Sequence, residues 1–395
     1  MKIFFRRIHL YLGLAVGLVI LVACFTGAIL VFEKDLQTVL NKKRYHVEAG
    51  TQALSPDQLV TSVKKHFPDA KVNGIKLYED PSRSAELNVS FSSKKKEKAE
   101  APKEKTETKG LPQRQPGFTI FVNPYTGQVL EKYSYRETGF YTVFALHRWL
   151  LGGEGSIGKY IVGVSTFIFL FILFTGIILW WPKTKKILQQ RLRIKWDAGW
   201  KRLNHDLHLV AGLYSAIFLF IIAFTGLVWS FEWFNNGIYA VTNSPLKAPP
   251  PPRSTVISGA QRLSMDAAYA SAKTTYRNAV VYTINLPKDS SDAITVAALS
   301  QNAVHENATD AIYIDQYSGA VLSQLPYAQR SLGARVRSTF KPVHTGSIGG
   351  WPTKIIAFVA CLLGVTFPIT GTIMWINRIR KKGKVEKKRE AAVVI

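Results

Sequence analysis

Cysteine is scarce in this chain of 395 residues, which contains only Cys24 and Cys361. Each lies inside a long apolar run, and neither has further cysteines that could complete a disulfide framework, a cysteine-based zinc site or an iron–sulfur cluster. The sequence therefore disfavours those three kinds of site, and we interpret both cysteines as small apolar side chains.

Acidic residues are also scarce. Asp and Glu number 26 against 51 Lys and Arg, so the formal net charge is +25 at pH 7. Charged residues of both signs make up 19% of the chain and hydrophobic residues 47%. An ordinary soluble domain is about 25% charged, so this composition indicates several membrane spans joined by water-soluble parts. No pairing of a nucleophile with a base is evident, which argues against a hydrolase.

Ionisable residues are nearly absent from four long apolar runs. These runs extend from about Ile8 to Phe32, Tyr160 to Trp181, Leu207 to Phe231 and Ile355 to Ile376. A helix needs about 20 residues to cross a hydrocarbon core of roughly 30 Å, and within lipid it satisfies its own backbone hydrogen bonds. We therefore predict four transmembrane helices. An iron or siderophore permease would need polar residues deep within its spans and is disfavoured.

The positive charges lie on one side of this four-span topology. Lys and Arg cluster before the first run, between the second and third runs, and after the fourth, which is the positive-inside pattern. We therefore place both termini in the cytoplasm and the two long inter-span segments outside. On this interpretation the charge sets topology and lies against membrane lipid, and it does not indicate nucleic-acid binding. The first span has no small-residue cleavage site after it, so we expect an uncleaved anchor.

The runs and the segments between them predict the domain organisation. Residues 1–32 form the cytoplasmic N-terminus and first span, 33–139 the first outward α+β domain, 140–182 an interfacial helix and the second span, 183–203 a cytoplasmic basic loop, 204–231 the third span, 232–340 the second outward α+β domain, 341–377 a histidine-bearing segment and the fourth span, and 378–395 a cytoplasmic basic tail. Within the first outward domain, the Lys/Glu-rich residues 93–110 are predicted to be a disordered insert.

The two halves of the chain resemble each other. At a constant offset of 199, His9 aligns with His208, Gly13 with Gly212, Thr26-Gly27 with Thr225-Gly226, and Phe32-Glu33 with Phe231-Glu232. At an offset of 197, His147 aligns with His344, and the turn 123–127 aligns with 315–319 at an offset of 192. The pattern predicts a duplicated unit, folded as a membrane α-helical bundle with a pseudo-twofold axis and two periplasmic α+β domains.

Four of the eight histidines fall at matching depths in this topology. His9 and His208 begin spans near the cytoplasmic face, whereas His147 and His344 precede spans at the outer face. Each face therefore has one histidine from each half, and two facing imidazoles can hold a b-type haem iron from both sides. We predict two b-type haems with these axial ligands. By contrast, His46, His66 and His305 lie in polar stretches and are predicted to be surface residues.

Glycines accompany these histidines at regular positions. Gly13 and Gly212 lie one turn after His9 and His208 on the same helix face, where a flat macrocycle needs close approach to the backbone. Every span also contains a Thr-Gly pair, and the four glycines are predicted to pack against haem: Gly27, Gly176, Gly226 and Gly371. The alternatives are that Thr-Gly only helps helices to pack and that the histidines are interfacial polar residues. Structural zinc is a weaker alternative, because each histidine pair lacks a third protein ligand.

Two further residues are candidate neighbours of the haems. His205 faces the same way as His208 and could be a rival ligand, a haem-propionate partner or an interface residue; having no counterpart in the other half, it is disfavoured as a ligand. Arg148, next to His147, could pair with haem propionates, attract an anionic substrate or be solvated surface. The same three readings apply to the basic residues before His344, which are Arg335, Arg337 and Lys341.

The sequence resembles the PepSY-associated transmembrane family. The resemblance rests on HLYLGL…FTGAILVFE, FVNPYTGQVL, LHRWLL…TGIILWWPK, DLHLVAGLYS…FTGLVWSFE and VHTGSIGGWP. Members of this family include iron-regulated inner-membrane proteins and ferric-siderophore reductases of Gram-negative bacteria. The resemblance implies PepSY-like outward domains and a membrane part that carries b-type haem, with His9, His147, His208 and His344 at the positions of the family's motif histidines. The chain has no Gly-rich nucleotide-binding segment or flavodoxin-like extension of the kind found in flavin-fused relatives, which implies a separate electron donor.

Together these features predict a di-haem electron-transfer protein of the bacterial inner membrane. Electrons are expected to enter at the cytoplasmic haem, pass to the outer haem and reduce a periplasmic acceptor, with ferric siderophore as the favoured acceptor. Two alternatives stay open at this point: an iron or siderophore permease, and a haem-free membrane protein that uses its PepSY-like domains for binding or regulation.

Overall fold

The computed structural model describes residues 1–91 and 117–393, with side chains through residue 381. The predicted insert 93–110 lies outside the described residues. The chain divides into two compact units. We call them the helical unit (Met1–Lys34, Gly139–Ser244 and Val336–Ile395) and the sheet unit (Asp35–Thr138 and Pro245–Arg335).

Twelve α-helices and eight strands make up the described chain. The helices are α1 (Lys2–Val31), α2 (Glu33–Leu40), α3 (Lys42–Tyr45), α4 (Pro56–His66), α5 (Gly139–Trp149), α6 (Ile157–Trp180), α7 (Lys185–Arg191), α8 (Trp200–Gly226), α9 (Glu232–Val241), α10 (Met265–Thr275), α11 (Leu332–His344) and α12 (Trp351–Val393). The strands are β1 (Ala70–Tyr78), β2 (Ala85–Phe91), β3 (Phe118–Val122), β4 (Val129–Tyr133), β5 (Ala279–Asn285), β6 (Ile294–Ser300), β7 (Asp310–Ile314) and β8 (Val321–Leu325).

Four helices of the helical unit are long and apolar enough to cross a membrane. Their candidate spans are Lys2–Val31, Ile157–Trp180, Trp200–Trp229 and Trp351–Lys381, with mean hydropathy between 2.0 and 2.8. They coincide with the four apolar runs of the sequence, so the prediction of a four-helix, multi-pass membrane protein is confirmed.

The four long helices pack around an apolar interior. The helix α1 contacts α6 and α12, and α8 contacts the same two helices. Buried side chains from all four helices meet at mid-length: Val16, Ile20, Cys24, Phe169, Leu173, Leu219, Ala223 and Ala360. Cys24 and Cys361 are both free and buried, as expected of small apolar side chains.

The sheet unit contains one antiparallel sheet of eight strands in the order β4-β3-β2-β1-β5-β6-β7-β8. Each of the two predicted outward segments supplies four consecutive strands, and β1 pairs with β5 at the centre. At this junction Gly74 lies opposite Asn285. A Cβ on Gly74 would come within 2.5 Å of the Ile284 carbonyl oxygen, so the close approach of the two strands requires glycine here.

The helices α4 and α10 pack on the apolar face of this sheet and begin next to each other. Ser55 and Ser264 are their N-caps, each accepting a hydrogen bond from the third residue of its own helix. The Asp57 carboxylate accepts from the backbone N–H groups of Met265 (3.2 Å) and Asp266 (3.1 Å), and the Asp266 carboxylate accepts from the backbone N–H of Asp57 (2.9 Å). Each helix therefore caps the positive end of the other.

Replacing either of these aspartates is expected to destabilise the sheet unit. Asp57→Ala or Asp266→Ala should cost about 1 kcal/mol, because each substitution leaves helix N–H groups without their acceptor. The double variant should lose less than the sum, since the two caps face each other. Chemical unfolding of the purified full chain measures this. Asp69→Ala is the control, because Asp69 is exposed and distant from the helix starts; equal loss in all variants would contradict the capping role.

His305 departs from its predicted surface position. Its side chain is buried, the ring Nε2 lies 3.0 Å from the Tyr327 hydroxyl, and Nδ1 accepts the backbone N–H of Asn307 at 3.1 Å. Burial lowers the pKa of this imidazole. The surface prediction was therefore wrong for His305, because its polar local sequence gave no sign that Tyr327 would cover it. His66 is exposed and His46 half-buried.

Candidate cofactor site: two histidine pairs in the helical unit

The helical unit brings the four predicted histidines together as two pairs. In the first pair, His9 of α1 and His208 of α8 have ring centroids 6.4 Å apart, with an interplanar angle of 84°. In the second pair, His147 of α5 and His344 of α11 have ring centroids 6.2 Å apart, at 58°. All four side chains are half-buried. Each pair therefore combines one histidine from each half of the chain, as the sequence predicts.

A threonine hydroxyl holds each histidine of the first pair. His9 Nδ1 lies 3.0 Å from Thr175 Oγ1, and His208 Nδ1 lies 2.7 Å from Thr370 Oγ1. Both hydroxyls lie within hydrogen-bond distance of a carbonyl oxygen in their own helix, Ile172 for Thr175 and Thr366 for Thr370. Because a hydroxyl has one proton, an oxygen that donates to the backbone must accept from Nδ1. The proton of each imidazole is therefore assigned to Nδ1.

The second pair has the same arrangement with an additional acceptor. His147 Nδ1 lies 3.0 Å from both Thr26 Oγ1 and the Ala23 carbonyl oxygen. His344 Nδ1 lies 2.8 Å from the Ile222 carbonyl oxygen and 3.4 Å from the hydroxyl of Thr225. A carbonyl oxygen can only accept, so Nδ1 is again the protonated nitrogen. In all four histidines Nε2 keeps its lone pair and can ligate a metal.

The glycine that follows each threonine makes room for the histidine ring. A Cβ on Gly27 or Gly176 would lie 3.3 Å from Cε1 of His147 or His9, respectively. The corresponding distances are 3.1 Å from Gly226 to His344 and 3.5 Å from Gly371 to His208. In each Thr-Gly pair, the threonine orients the imidazole through a hydrogen bond and the glycine leaves space for the ring. The contact that these four glycines make is to histidine; packing against haem stays a prediction.

Gly13 and Gly212 differ from those four glycines. A Cβ at either position would meet no atom within 4 Å. Because they lie four residues after His9 and His208, they share the helix faces that carry the first pair. Open space therefore adjoins the first pair where the sequence predicts a flat ligand.

The separation of the two rings in each pair suits one metal ion between them. Two imidazoles bonded to a metal from opposite sides, each through a bond of about 2 Å, have ring centroids about 6 Å apart. The observed 6.4 and 6.2 Å fit that arrangement. Among the residues that the structure describes, no three His, Cys, Asp or Glu side chains come together, so each level offers two imidazoles as its donor set. A bis-histidine haem matches this donor set.

The two candidate neighbours lie at different ends of the bundle. His205 is exposed and its Nδ1 lies 3.4 Å from Asp206 Oδ1, outside the first pair. Arg148 donates to the backbone carbonyl oxygen of Trp229 at 3.4 Å. The Trp229 ring lies 5.3 Å from the ring of His344.

Three further residues lie next to a histidine of the pairs or next to a threonine that holds one. Trp229 adjoins His344, as described above. Phe367 lies edge-on to His208, with centroids 5.6 Å apart, and buried Asn204 donates to the Thr370 carbonyl oxygen at 3.1 Å. The threonine contacts had a sequence signal, because Thr-Gly occurs once in every span. The sequence marks Trp229 only as a tryptophan at the outer end of a span, and it does not connect Phe367 or Asn204 with the histidines.

The comparisons with known proteins identify a family. The family described as "PepSY-associated TM region" matches residues 6–378, a range that includes both histidine pairs and the four Thr-Gly pairs. No curated protein matches the chain.

Proposed function

We propose that this multi-pass membrane protein, which belongs to the PepSY-associated TM region family, is a di-haem b electron-transfer protein of the bacterial inner membrane. The observation that carries the proposal is the geometry of the two pairs. In each pair the ring centroids are about as far apart as two imidazoles that bind one metal ion from opposite sides. Nε2 of each ring is available as a ligand because a threonine hydroxyl or a carbonyl oxygen is bonded to Nδ1. His9 and His208 would hold one haem, and His147 and His344 the other.

The proposed direction of electron flow follows from the placement of charge in the sequence. Lys and Arg in the first two turns of α1, between α6 and α8, and after Ile376 favour a cytoplasmic position for both termini. The first pair then lies near the cytoplasm and the second pair near the periplasm. Electrons would come from a separate cytoplasmic or membrane donor and leave on the periplasmic side.

Ferric siderophore is the proposed periplasmic acceptor. One electron reduces its Fe(III) to Fe(II), which hard oxygen chelators hold more weakly and release. Haem supplies the one-electron redox chemistry. This chain would act as a membrane-bound ferric-siderophore reductase, and its own residues would position the cofactors and tune them.

The apolar interior between the two pairs supports electron rather than ion transfer. The buried cluster around Val16, Leu173 and Leu219 lies along the helices between the two levels and contains no charged side chain. Such an interior excludes water and makes ion passage costly. This argues against a permease.

The proposal extends to the organisation of the whole chain. We propose that the two halves are a duplication, that their pseudo-twofold axis relates the members of each pair, and that both outward segments are periplasmic PepSY-like domains. Support comes from the constant offset of 199 in the sequence and from the sheet order, which runs outward from β1 in one half and from β5 in the other.

The first test is the absorption spectrum of the detergent-purified protein, oxidised and reduced with dithionite. We expect the bands of bis-histidine b-type haem, and a pyridine haemochrome assay should count two haems per chain. The reduced protein should be reoxidised on addition of ferric siderophore. A folded but colourless protein would refute the redox function and favour a haem-free binding or regulatory protein; a coloured protein that ferric siderophore does not reoxidise would refute only the acceptor.

A further inference from the structure

Two arginines flank one tryptophan beside the second histidine pair. The guanidinium carbon of Arg148 lies 5.9 Å from the Trp229 ring centroid, and that of Arg337 lies 5.4 Å from it. The Trp229 ring in turn lies 5.3 Å from the ring of His344. Arg148 also follows His147 directly in the sequence. Two positive charges therefore flank a tryptophan side chain that itself lies next to the second histidine pair.

Neither arginine forms a salt bridge with a carboxylate among the described residues, although Glu154 lies near enough to Arg148 to act on its charge. Arg148 makes one hydrogen bond, to the Trp229 carbonyl oxygen, and Arg337 makes one, to Asn235 Oδ1 at 2.7 Å. A guanidinium has five N–H donors, so most of this donor capacity is unused. Burial lowers the pKa of both guanidinium groups, and a partly buried charge that no carboxylate contacts is costly.

A further donor beside Arg148 also lacks an acceptor. The indole N–H of Trp149 is buried and has no hydrogen-bond partner in the structure, and the Arg148 guanidinium carbon lies 5.9 Å from the Trp149 ring. By contrast, Arg202 near the first pair is matched by a carboxylate, since its Nε lies 2.8 Å from Asp206. The carboxylate contact of Arg202 thus has no equivalent at Arg148 or Arg337 among the described residues.

The cationic group is not repeated in the other half of the chain. At the offset that aligns His147 with His344, Arg148 aligns with Thr345, and Arg337 aligns with Phe140. At the offset of 199, Trp229 aligns with Leu30. The arginines are therefore not a by-product of the repeated helix surface that supplies the histidines.

We propose that Arg148 and Arg337 form a carboxylate-binding pair, and that the carboxylates are the propionates of the haem held by His147 and His344. This inference rests on the proposed function. Guanidinium groups recognise carboxylates through paired N–H donors, and a haem brings two such groups on one edge. The same chemistry could serve a carboxylate on a soluble periplasmic chelate, so the experiment must separate the two sources.

The test compares Arg148→Gln, Arg337→Gln and the double variant with the wild type. Gln removes the charge, whereas Arg148→Lys and Arg337→Lys keep the charge and lose the planar fork. Arg136→Gln, at an exposed position of the sheet unit, is the control for the loss of one positive charge. Each protein is assayed for haem transfer to excess apo-globin, for the midpoint potentials of its two haems, and for reduction of ferric citrate, a carboxylate-rich chelate, at several salt concentrations.

We expect the double Gln variant to lose its second-pair haem to apo-globin roughly 10-fold faster or more, as the loss of a charge-assisted hydrogen bond implies. The midpoint potential of that haem should fall, because positive charge nearby favours the reduced form. The first-pair haem should keep its potential, and the Lys variants should lie in between. Unchanged haem transfer and potentials, with a raised KM for ferric citrate and weaker salt dependence, would overturn the propionate assignment in favour of chelate docking.

Two other outcomes overturn the inference at different levels. If the wild type holds two haems and the double Gln variant matches Arg136→Gln in every assay, the carboxylate-binding pair is refuted and the proposed function stands. If the wild type holds no haem, the proposed function falls, and the propionate assignment falls with it.

Discussion

Replacing His9 and His208 together by alanine is expected to remove one of the two proposed haems and leave the other in place. The two pairs are built from different parts of the helical unit, with His9 and His208 held by Thr175 and Thr370 of α6 and α12. Along α1 the second level is marked by Thr26, 17 positions after His9, which is about 25 Å of helix. Loss of the first site should therefore leave the second intact.

The complementary variant His147→Ala/His344→Ala should lose the other haem. Dithionite should still reduce the haem that remains in each double variant. In spheroplasts, however, reduction of an external ferric chelate by cellular donors should fall to background in both, because electrons need both sites to cross the bundle. The two variants should differ in one respect: cellular donors still reduce the haem left in His147→Ala/His344→Ala, but not the haem left in His9→Ala/His208→Ala.

The matched control for these variants is His205→Ala. His205 lies three residues before His208 but is exposed and contacts Asp206, so both haems and the reductase rate should be retained. Pyridine haemochrome content and difference spectra give the count for every variant. Loss of both haems from either double variant, with a folded protein, would contradict the assignment of two independent sites; loss of haem from His205→Ala would contradict the choice of ligands.

Leucine at Gly13 and Gly212 is expected to expel the first-pair haem without unfolding the helices. A Cβ at either position meets no atom of the described residues within 4 Å, so the added side chain starts in open space. Leucine also favours the helix over glycine by up to about 1 kcal/mol per site. The proposed macrocycle would compete for that space, since both positions share the faces of His9 and His208.

The double variant Gly13→Leu/Gly212→Leu should thus hold one haem per chain, at the second pair, with unchanged or higher thermal stability. The control is Gly237→Leu in α9, where a Cβ also meets no atom within 4 Å but no histidine pair lies on the same helix. Haem counts and thermal unfolding in detergent measure the effect. Retention of both haems in the Gly13/Gly212 variant would show that these glycines do not adjoin a bound macrocycle.

The bundle and the histidine pairs were predictable because simple physical rules determine them. A hydrophobic run of sufficient length has few alternatives to a membrane helix, and the predicted run from Tyr160 to Trp181 became Ile157–Trp180. Alternating spans then decide which histidines share a level, so the pairing of His9 with His208 followed from topology. Proton assignment did not follow, because Thr175 lies 166 residues from His9 and only packing shows their contact.

Other features lay beyond the reach of the sequence. Arg337 was one of three basic residues before His344, and nothing local distinguished it from Arg335 or Lys341. The strands could be predicted from alternating residues. Alternation does not show which strand pairs with the edge strand of another segment, so the pairing of β1 with β5 was not foreseen. The predicted domain boundaries at 139 and 340 stay predictions.

That central strand pair has a consequence for how the protein is made. Gly74 of β1 pairs with Asn285 of β5, and the intervening chain includes two membrane spans. At a synthesis rate of about 5–20 residues per second, β5 leaves the ribosome about 10–40 s after β1. During that interval the inner edge of the first half-sheet has no neighbouring strand and can pair wrongly with another chain. The incomplete sheet must therefore be protected during synthesis until the third membrane span, α8, is inserted and strands β5 to β8 have been made.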